Sequence, residues 1–287
     1  MRRRVSVIGS GRAAAALTRA LRGAGHRVAS APGRSGRPAL ERLARRSDIV
    51  LLCVADAAIE EVAGRLACLP EPALAGKVIL HTSGAQGPEP LRGLSRRGAS
   101  IGSLHPLISF PPRGGPKPSN AGPAEFKGVG FAVDGSPPAR MTARALAMEL
   151  GGHPLSIPAA KRPAYHMMAT LVASGMAALL HAAVEVARER LGMPEPAARR
   201  ALMPLARSVL ANVSEHGVAR GLTGPAARGD VRTVVRHMKT LSGSPAAVRE
   251  LYEIISRRAV LMALADKRLD ARSAASLMKA LAQHRRD

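Results

Sequence analysis

Aromatic side chains are nearly missing from this 287-residue chain: it has no tryptophan, two tyrosines and three phenylalanines. That supply is too small for a base-stacking platform on single-stranded nucleic acid. It also leaves the core to aliphatic, alanine and methionine side chains. Cysteine is almost as scarce. Cys53 and Cys68 cannot build a disulfide framework or a thiolate metal centre, and Cys53 lies in an apolar run that reads as buried. Acidic residues are outnumbered, 20 against 43 Lys and Arg, for a formal charge of +23. The basic residues are scattered and no nucleic-acid motif accompanies them. Nucleic acid is therefore expected as a partner only through nonspecific, salt-sensitive adhesion. The same field favours a phosphorylated cofactor and a carboxylate substrate. A secretory leader is not expected either, because the apolar run after Arg2-Arg3-Arg4 stops at Gly9. The one long apolar stretch, 164–187, carries His166, Thr170, Ser174, His181 and Glu185. It is expected to be a central helix buried in a helical domain rather than a membrane span. The expectation is a cytoplasmic protein without a membrane partner.

The chain is long enough for two domains, and 46% hydrophobic residues make it globular by composition. The first half alternates short apolar runs with helical stretches. Strands are predicted at Arg4–Ile8, His26–Ser30, Asp48–Val54, Lys77–His81, Ser100–Leu104 and Val129–Val133, with helices at Ala13–Arg22, Pro38–Arg45, Ala58–Ala67 and Pro138–Leu150. That is a doubly wound, mostly parallel α/β sheet over residues 1–158. Pro111 to Pro123 is rich in Pro and Gly and reads as a loop near the site. From 159 to 287 helical periodicity takes over, with helices predicted at Ala160–Leu191, Glu195–His216, Val231–Leu241, Pro245–Ala265 and Ala271–Gln283.

The first strand runs directly into Gly9-Ser10-Gly11-Arg12-Ala13-Ala14 and a helix. This is the G-x-G-x-x-A fingerprint of a dinucleotide site. Gly9 makes the sharp turn, Gly11 lets a pyrophosphate approach the backbone, and Ala14 lets the helix pack close to the sheet. The unpaired amides and positive end of that helix then face the anion, and Gly9 to Ala13 are expected at the pyrophosphate. An NAD site would place an acid after the second strand. Here the segment reads Gly33-Arg34-Ser35-Gly36-Arg37, and a guanidinium with a hydroxyl suits a 2′-phosphate, so NADP(H) is the expected cofactor.

Three polar strand exits converge on the same edge. Val54-Ala55-Asp56 should line the cofactor crevice, with Asp56 expected to cap the next helix. Thr82 is expected at the cofactor, and Ser83-Gly84, with the free amides that follow, could hold a carboxylate or the nicotinamide end. His105 ends a third strand. Lys161 is expected to open the first long helix at a cleft, with Tyr165 four residues on and His166 beside it. An ammonium there can polarise a carbonyl and deliver a proton. The segment Leu222 to Asp230 is a loop dense in functional groups. In it Asp230 can cap a helix, Thr223 could contact substrate and Arg228 could clamp a carboxylate. Asn212 is polar within an apolar stretch. No metal site is visible.

Gly9-Ser10-Gly11-Arg12, Asp48-Ile49-Val50-Leu51, His81 to Ala85, His105-Pro106-Leu107, Lys161 with Tyr165-His166, and Leu222 to Asp230 occur in the order found in a group of Rossmann-like reductases. The chain resembles that group, whose helical C-terminal domain was long of unknown function. The group is similar to the 6-phosphogluconate and hydroxyisobutyrate dehydrogenase superfamily and to ketopantoate and pyrroline-5-carboxylate reductases. The resemblance implies an NADPH-dependent reductase of a small 2-oxo acid, with ketopantoate as leading substrate. It also implies a homodimer through the helical domain, with sites near the dimer interface. By that resemblance Lys161 is the catalytic lysine and Ser83-Gly84 binds substrate; His166 or His105 is expected to assist, and Tyr165, Asn212, Thr223 and Arg228 are expected to serve the substrate. One departure is Ser174-Gly175, where members often carry Ser-Asn. The alternatives are a cyclic-imine acid reductase and a non-enzymatic NADP-sensing or nucleic-acid-binding module.

Overall fold

The computed structural model describes residues 2–111 and 123–283. The part of the Pro-Gly-rich loop between Pro111 and Pro123 lies outside the described residues. Backbone contacts divide the chain into two units, Met1–Ala173 and Ser174–Asp287. The expected division was at 158/159; the contact boundary lies at 173/174, inside a long helix.

The first unit is a seven-stranded sheet of β1 (Arg4–Ile8), β2 (Arg27–Ala31), β3 (Ile49–Leu52), β4 (Val78–His81), β5 (Ser100–Pro106), β6 (Gly130–Gly135) and β7 (His153–Ser156). The order is β2-β1-β3-β4-β5-β6-β7. All pairs are parallel except β5 with β6. Six strands were expected. The seventh, His153-Pro154-Leu155-Ser156, is a mostly exposed edge strand whose proline and polar residues hide it from a search for apolar runs. Helices α1 (Arg12–Gly23), α2 (Arg37–Arg45), α3 (Ile59–Ala67), α4 (Arg92–Ser95) and α5 (Pro137–Glu149) cover both faces. Leu17 and Leu21 of α1 join Ala143 and Leu146 of α5 on one face. Leu40 of α2, Ile59 and Leu66 of α3, and Leu94 of α4 pack on the other. The doubly wound reading therefore holds, with Ala14 fully packed as the fingerprint requires.

The remaining helices are α6 (Arg162–Leu191), α7 (Glu195–Arg220), α8 (Val231–Thr240), α9 (Ala246–Ala265) and α10 (Ala271–Gln283). In α7 the expected stop at His216 coincides with a backbone break at Gly217, φ +82°. The core of the second unit comes from α8, α9 and α10, around Val234, Met238, Val260, Leu277 and Leu281. Asp230 caps α8 as expected, its carboxylate accepting from the Thr233 amide at 3.0 Å. The expectation of a buried α6 is overturned. Ala159–Leu191 is long and apolar enough to cross a membrane, with mean hydropathy 1.7 in its best window, yet none of that window is buried. Its apolar residues surround the helix instead of forming one stripe, so neighbours in one chain can cover only part of it.

Candidate functional site

The strand order changes direction between β1 and β3, and crevices at such a switch point are where open α/β sheets take ligands. Here a cleft of 470 Å³ is lined by Gly9, Ser10, Gly11, Arg12, Ala13, Gly33, Cys53, Val54, Ala55 and Phe110. Gly9 has φ +146°, and a Cβ on it would lie 2.1 Å from the Cys53 carbonyl oxygen, so only glycine fits this turn. Gly11 differs. A Cβ there would meet nothing within 4 Å, which leaves open approach to the backbone above the helix start. Gly11 caps α1, and no acid occupies the helix's first turn. The amides and the dipole therefore present positive potential to the cleft. The Arg12 guanidinium donates to the Phe110 carbonyl at 3.1 Å, along the cleft wall.

The segment after β2 contains no carboxylate as far as Leu40. Arg34 is exposed and Ser35 half-buried. Gly33 lies so close to Val54 that a Cβ would come within 2.7 Å of its Cγ1. These features fit a phosphorylated dinucleotide. Open backbone at Gly11, helix amides, and a loop with Arg34 and Ser35 but no acid would hold pyrophosphate and a 2′-phosphate. Asp56 does not cap a helix. It is exposed in a short turn of 3-10 helix, Asp56–Ala58, and α3 starts after Ala58 without any side-chain cap. The short turn satisfies the local backbone, with the Ala58 amide on the Ala55 carbonyl, and leaves the carboxylate uncommitted to a cap. Cys53 is buried as expected, and burial pushes its thiol up to about 12. It is not an available thiolate.

At the next exit Thr82 donates from its amide to the Leu52 carbonyl. His81 is fully buried; its Nε2 bonds the Gly87 carbonyl at 2.6 Å while Nδ1 accepts from the Ser83 amide. Burial lowers its pKa. The amides after Ser83 are not free. The Ser83 hydroxyl oxygen accepts from those of Ala85 and Gln86, both at 3.2 Å, so this serine closes its own turn.

His105, on β5, bonds the Tyr165 hydroxyl through Nδ1 at 2.8 Å, and the two rings meet edge to face at 5.6 Å. Its ring lies over Gly84, where a Cβ would approach Nε2 to 2.8 Å. Burial first, then the positive charge of Arg162, pushes His105 down to about 4. Burial pushes Tyr165 up to about 12. At neutral pH the pair thus consists of a neutral imidazole and an intact phenol.

Lys161 ends a 3-10 turn, Ala159–Lys161, rather than opening α6, and it is exposed. The buried cation is its neighbour. Arg162 has no accessible surface. It donates from Nε to the Ile157 carbonyl at 3.2 Å, from Nη1 to the Ser83 carbonyl at 3.4 Å and from Nη2 to the Ser103 hydroxyl at 2.5 Å. Burial lowers its pKa and Asp134 opposes the shift. Arg162 also lies 5.9 Å from the Tyr165 ring centroid. Arg162 and Tyr165 fasten the start of α6 to the exits of β4 and β5, which is why that part of the helix belongs to the first unit. In the second unit Asn212 is half-buried and Thr223 exposed. Arg228 is exposed and donates to the Thr223 carbonyl of its own loop. Gly175 has open space where a Cβ would stand. Among the described residues no three His, Cys, Asp or Glu side chains are placed to hold a metal.

Residues 1–106 match the Rossmann-like domain, and residues 129–259 match a domain of unknown function, DUF2520. No curated protein matches the chain. Protein TM1727 from Thermotoga maritima has a similar structure, with TM-score 0.67 and 21% identity over 92% of this chain and 100% of that one. BF3122 from Bacteroides fragilis, assigned as an NADP oxidoreductase, has TM-score 0.68 and 21% identity over 91% and 98%. Plasmodium falciparum pyrroline carboxylate reductase, solved with NADP bound, has TM-score 0.55 and 12% identity over 91% and 98%. At these identities the likeness establishes the fold: a Rossmann-like sheet followed by a helical domain.

Proposed function

We propose that this chain is an NADPH-dependent oxidoreductase that reduces a small 2-oxo acid, with 2-dehydropantoate (ketopantoate) as the first substrate to test. The observation carrying the reading is one sheet edge. A phosphate cradle at Gly9–Ala13 and the neutral His105–Tyr165 pair sit at the carboxyl ends of strands in the same parallel run. Similar structures include an assigned NADP oxidoreductase and a reductase solved with NADP, which supports the choice of cofactor.

Gly9 makes the turn with its own amide on the Ala31 carbonyl, the amides at the α1 start from Gly11 to Ala13 hold the pyrophosphate, and Arg34 with Ser35 hold the 2′-phosphate. When bound, the reduced nicotinamide supplies the hydride. With the Tyr165 hydroxyl donating its hydrogen bond to His105 Nδ1, the neutral ring carries its hydrogen on Nε2. A neutral imidazole in that tautomer polarises a carbonyl oxygen as a hydrogen-bond donor without giving up its proton. The proton that completes the alcohol comes from the Lys161 ammonium, with His166 as the alternative donor.

A second reading, reduction of a cyclic imine acid, draws support from the pyrroline carboxylate reductase and imine reductases among the similar structures. An imine nitrogen needs less help from an acid, in keeping with an exposed Lys161. For the quaternary state, the reading places a second copy of the chain against the apolar face of α6 and α7, where Leu179, Leu205, Val209 and Leu210 are exposed. The deciding experiment follows NADPH oxidation over a panel of 2-oxo acids and cyclic imines, with NADH as comparator. Turnover of ketopantoate supports the first reading and turnover of imines alone the second. Silence across the panel refutes both.

A further inference from the structure

Arg65, on α3, is half-buried and is not among the buried residues of its helix, yet its guanidinium is bonded at both terminal nitrogens. Nη1 donates to the Gly33 carbonyl at 2.8 Å, and Nη2 donates to the Ser35 carbonyl. These two carbonyls flank Arg34. Within this turn the segment has one backbone bond of its own, from the Ser35 amide to the Pro32 carbonyl at 3.1 Å. Arg65 is its long-range anchor, reaching back from α3 across 30 and 32 residues of chain. The two-point grip suits a guanidinium, whose planar fork holds two acceptors at once.

The grip has an electrostatic consequence. Carbonyl oxygens are partially negative, and two of them bare beside a phosphate would repel it. Arg65 occupies both and adds a full positive charge at the turn, while Arg34 between them stays exposed. We propose that Arg65 is a positioning residue for a 2′-phosphorylated adenosine ligand: it holds the Gly33–Ser35 turn in the form that selects phosphate over hydroxyl at that position. The inference rests on the NADP reading above and adds to it a residue that never touches the ligand.

Isothermal titration of the full chain with 2′,5′-ADP and with 5′-AMP tests it, using wild type, Arg65→Met and Arg65→Lys, with far-UV circular dichroism to confirm folding. Wild type binds 2′,5′-ADP more tightly than 5′-AMP. Arg65→Met weakens 2′,5′-ADP by about tenfold and 5′-AMP by less than about twofold, so the selectivity ratio collapses. Arg65→Lys recovers part of the ratio, because one ammonium reaches one carbonyl well and not both. A folded Arg65→Met protein with the wild-type ratio overturns the role of Arg65 and leaves the NADP reading standing. A wild-type protein without preference for 2′,5′-ADP overturns the NADP reading itself. If Arg65→Met does not fold, the ratio measured for Arg65→Lys decides in the same way.

Discussion

Acid should destabilise the first unit through His105 before most carboxylates begin to titrate. In the folded chain this imidazole is held at about 4, against an ordinary value of 6.5 in the unfolded chain. Its folded value is depressed, so between those limits the unfolded state binds a proton that the folded state refuses. The stability it contributes is complete above pH 6.5 and is lost as pH falls towards 4. Each pH unit inside the window costs about 1.4 kcal/mol, so lowering pH from 7 to 5 should cost about 2 kcal/mol from this residue. His81 is lowered for the same reason and adds loss in the same direction. The control is His105→Asn, which keeps an amide atom near Nδ1 for the Tyr165 hydroxyl and removes the titrating group. Urea unfolding at pH 7 and pH 5 gives the comparison. Wild type should lose about 2 kcal/mol more than His105→Asn between the two conditions. Equal losses in the two proteins would show that His105 is not held neutral, and the hydrogen-bond-donor role assigned to it would fall.

Gly11→Asp should weaken NADPH binding by about thirtyfold or more, since a carboxylate would stand at the pyrophosphate approach. The melting temperature should hardly move, because the position is sterically open. Calorimetric binding beside a thermal melt checks both halves. Gly9→Ala should be the opposite case. Its Cβ would collide with the Cys53 carbonyl at a φ of +146°, costing roughly 3 kcal/mol or more and reducing soluble yield, as measured by chemical denaturation. Lys161→Ala should slow reduction of a 2-oxo acid by about a hundredfold and of a cyclic imine by less than about fivefold; equal effects in steady-state kinetics would remove Lys161 as the proton donor. Sedimentation equilibrium should give a dimer mass, and Leu179→Asp together with Leu205→Asp should yield monomer. A monomeric wild type would refute the assigned covering of α6.

The sheet was legible because its central strands are nearly unbroken apolar runs between turn residues. Strands at Ile49–Leu52 and Val78–His81, buried on both faces, need little else for recognition. Direction was not legible. The run at Gly130–Gly135 looks the same whether it pairs parallel or antiparallel with its neighbour, and only the register of Ser103 with Asp134 and Leu104 with Val133 reveals the reversal. The glycine turn was legible in its chemistry, down to the different reasons for Gly9 and Gly11. The proline-bearing edge strand was not, because an exposed strand has no burial pattern to display.

The arginines explain the rest. In a chain with 43 Lys and Arg, each basic residue reads as solvated surface, and composition assigns special work to none of them. Two arginines nevertheless organise the site. Arg162 is buried and ties Ser83, Ser103 and Ile157 together; Arg65 holds Gly33 and Ser35. One signal for Arg162 was present. It precedes Tyr165 by three residues, as Lys161 does by four, so both spacings share a helix face with the tyrosine and spacing alone does not separate the two cations. The fold decides between them: Arg162 is buried, and Lys161, one position earlier, is exposed. Arg65 left no such signal, because its partners are backbone carbonyls, which every residue has. Side chains that work by gripping main chain are invisible to motif reading, and in this protein they shape the edge on which the proposed chemistry depends.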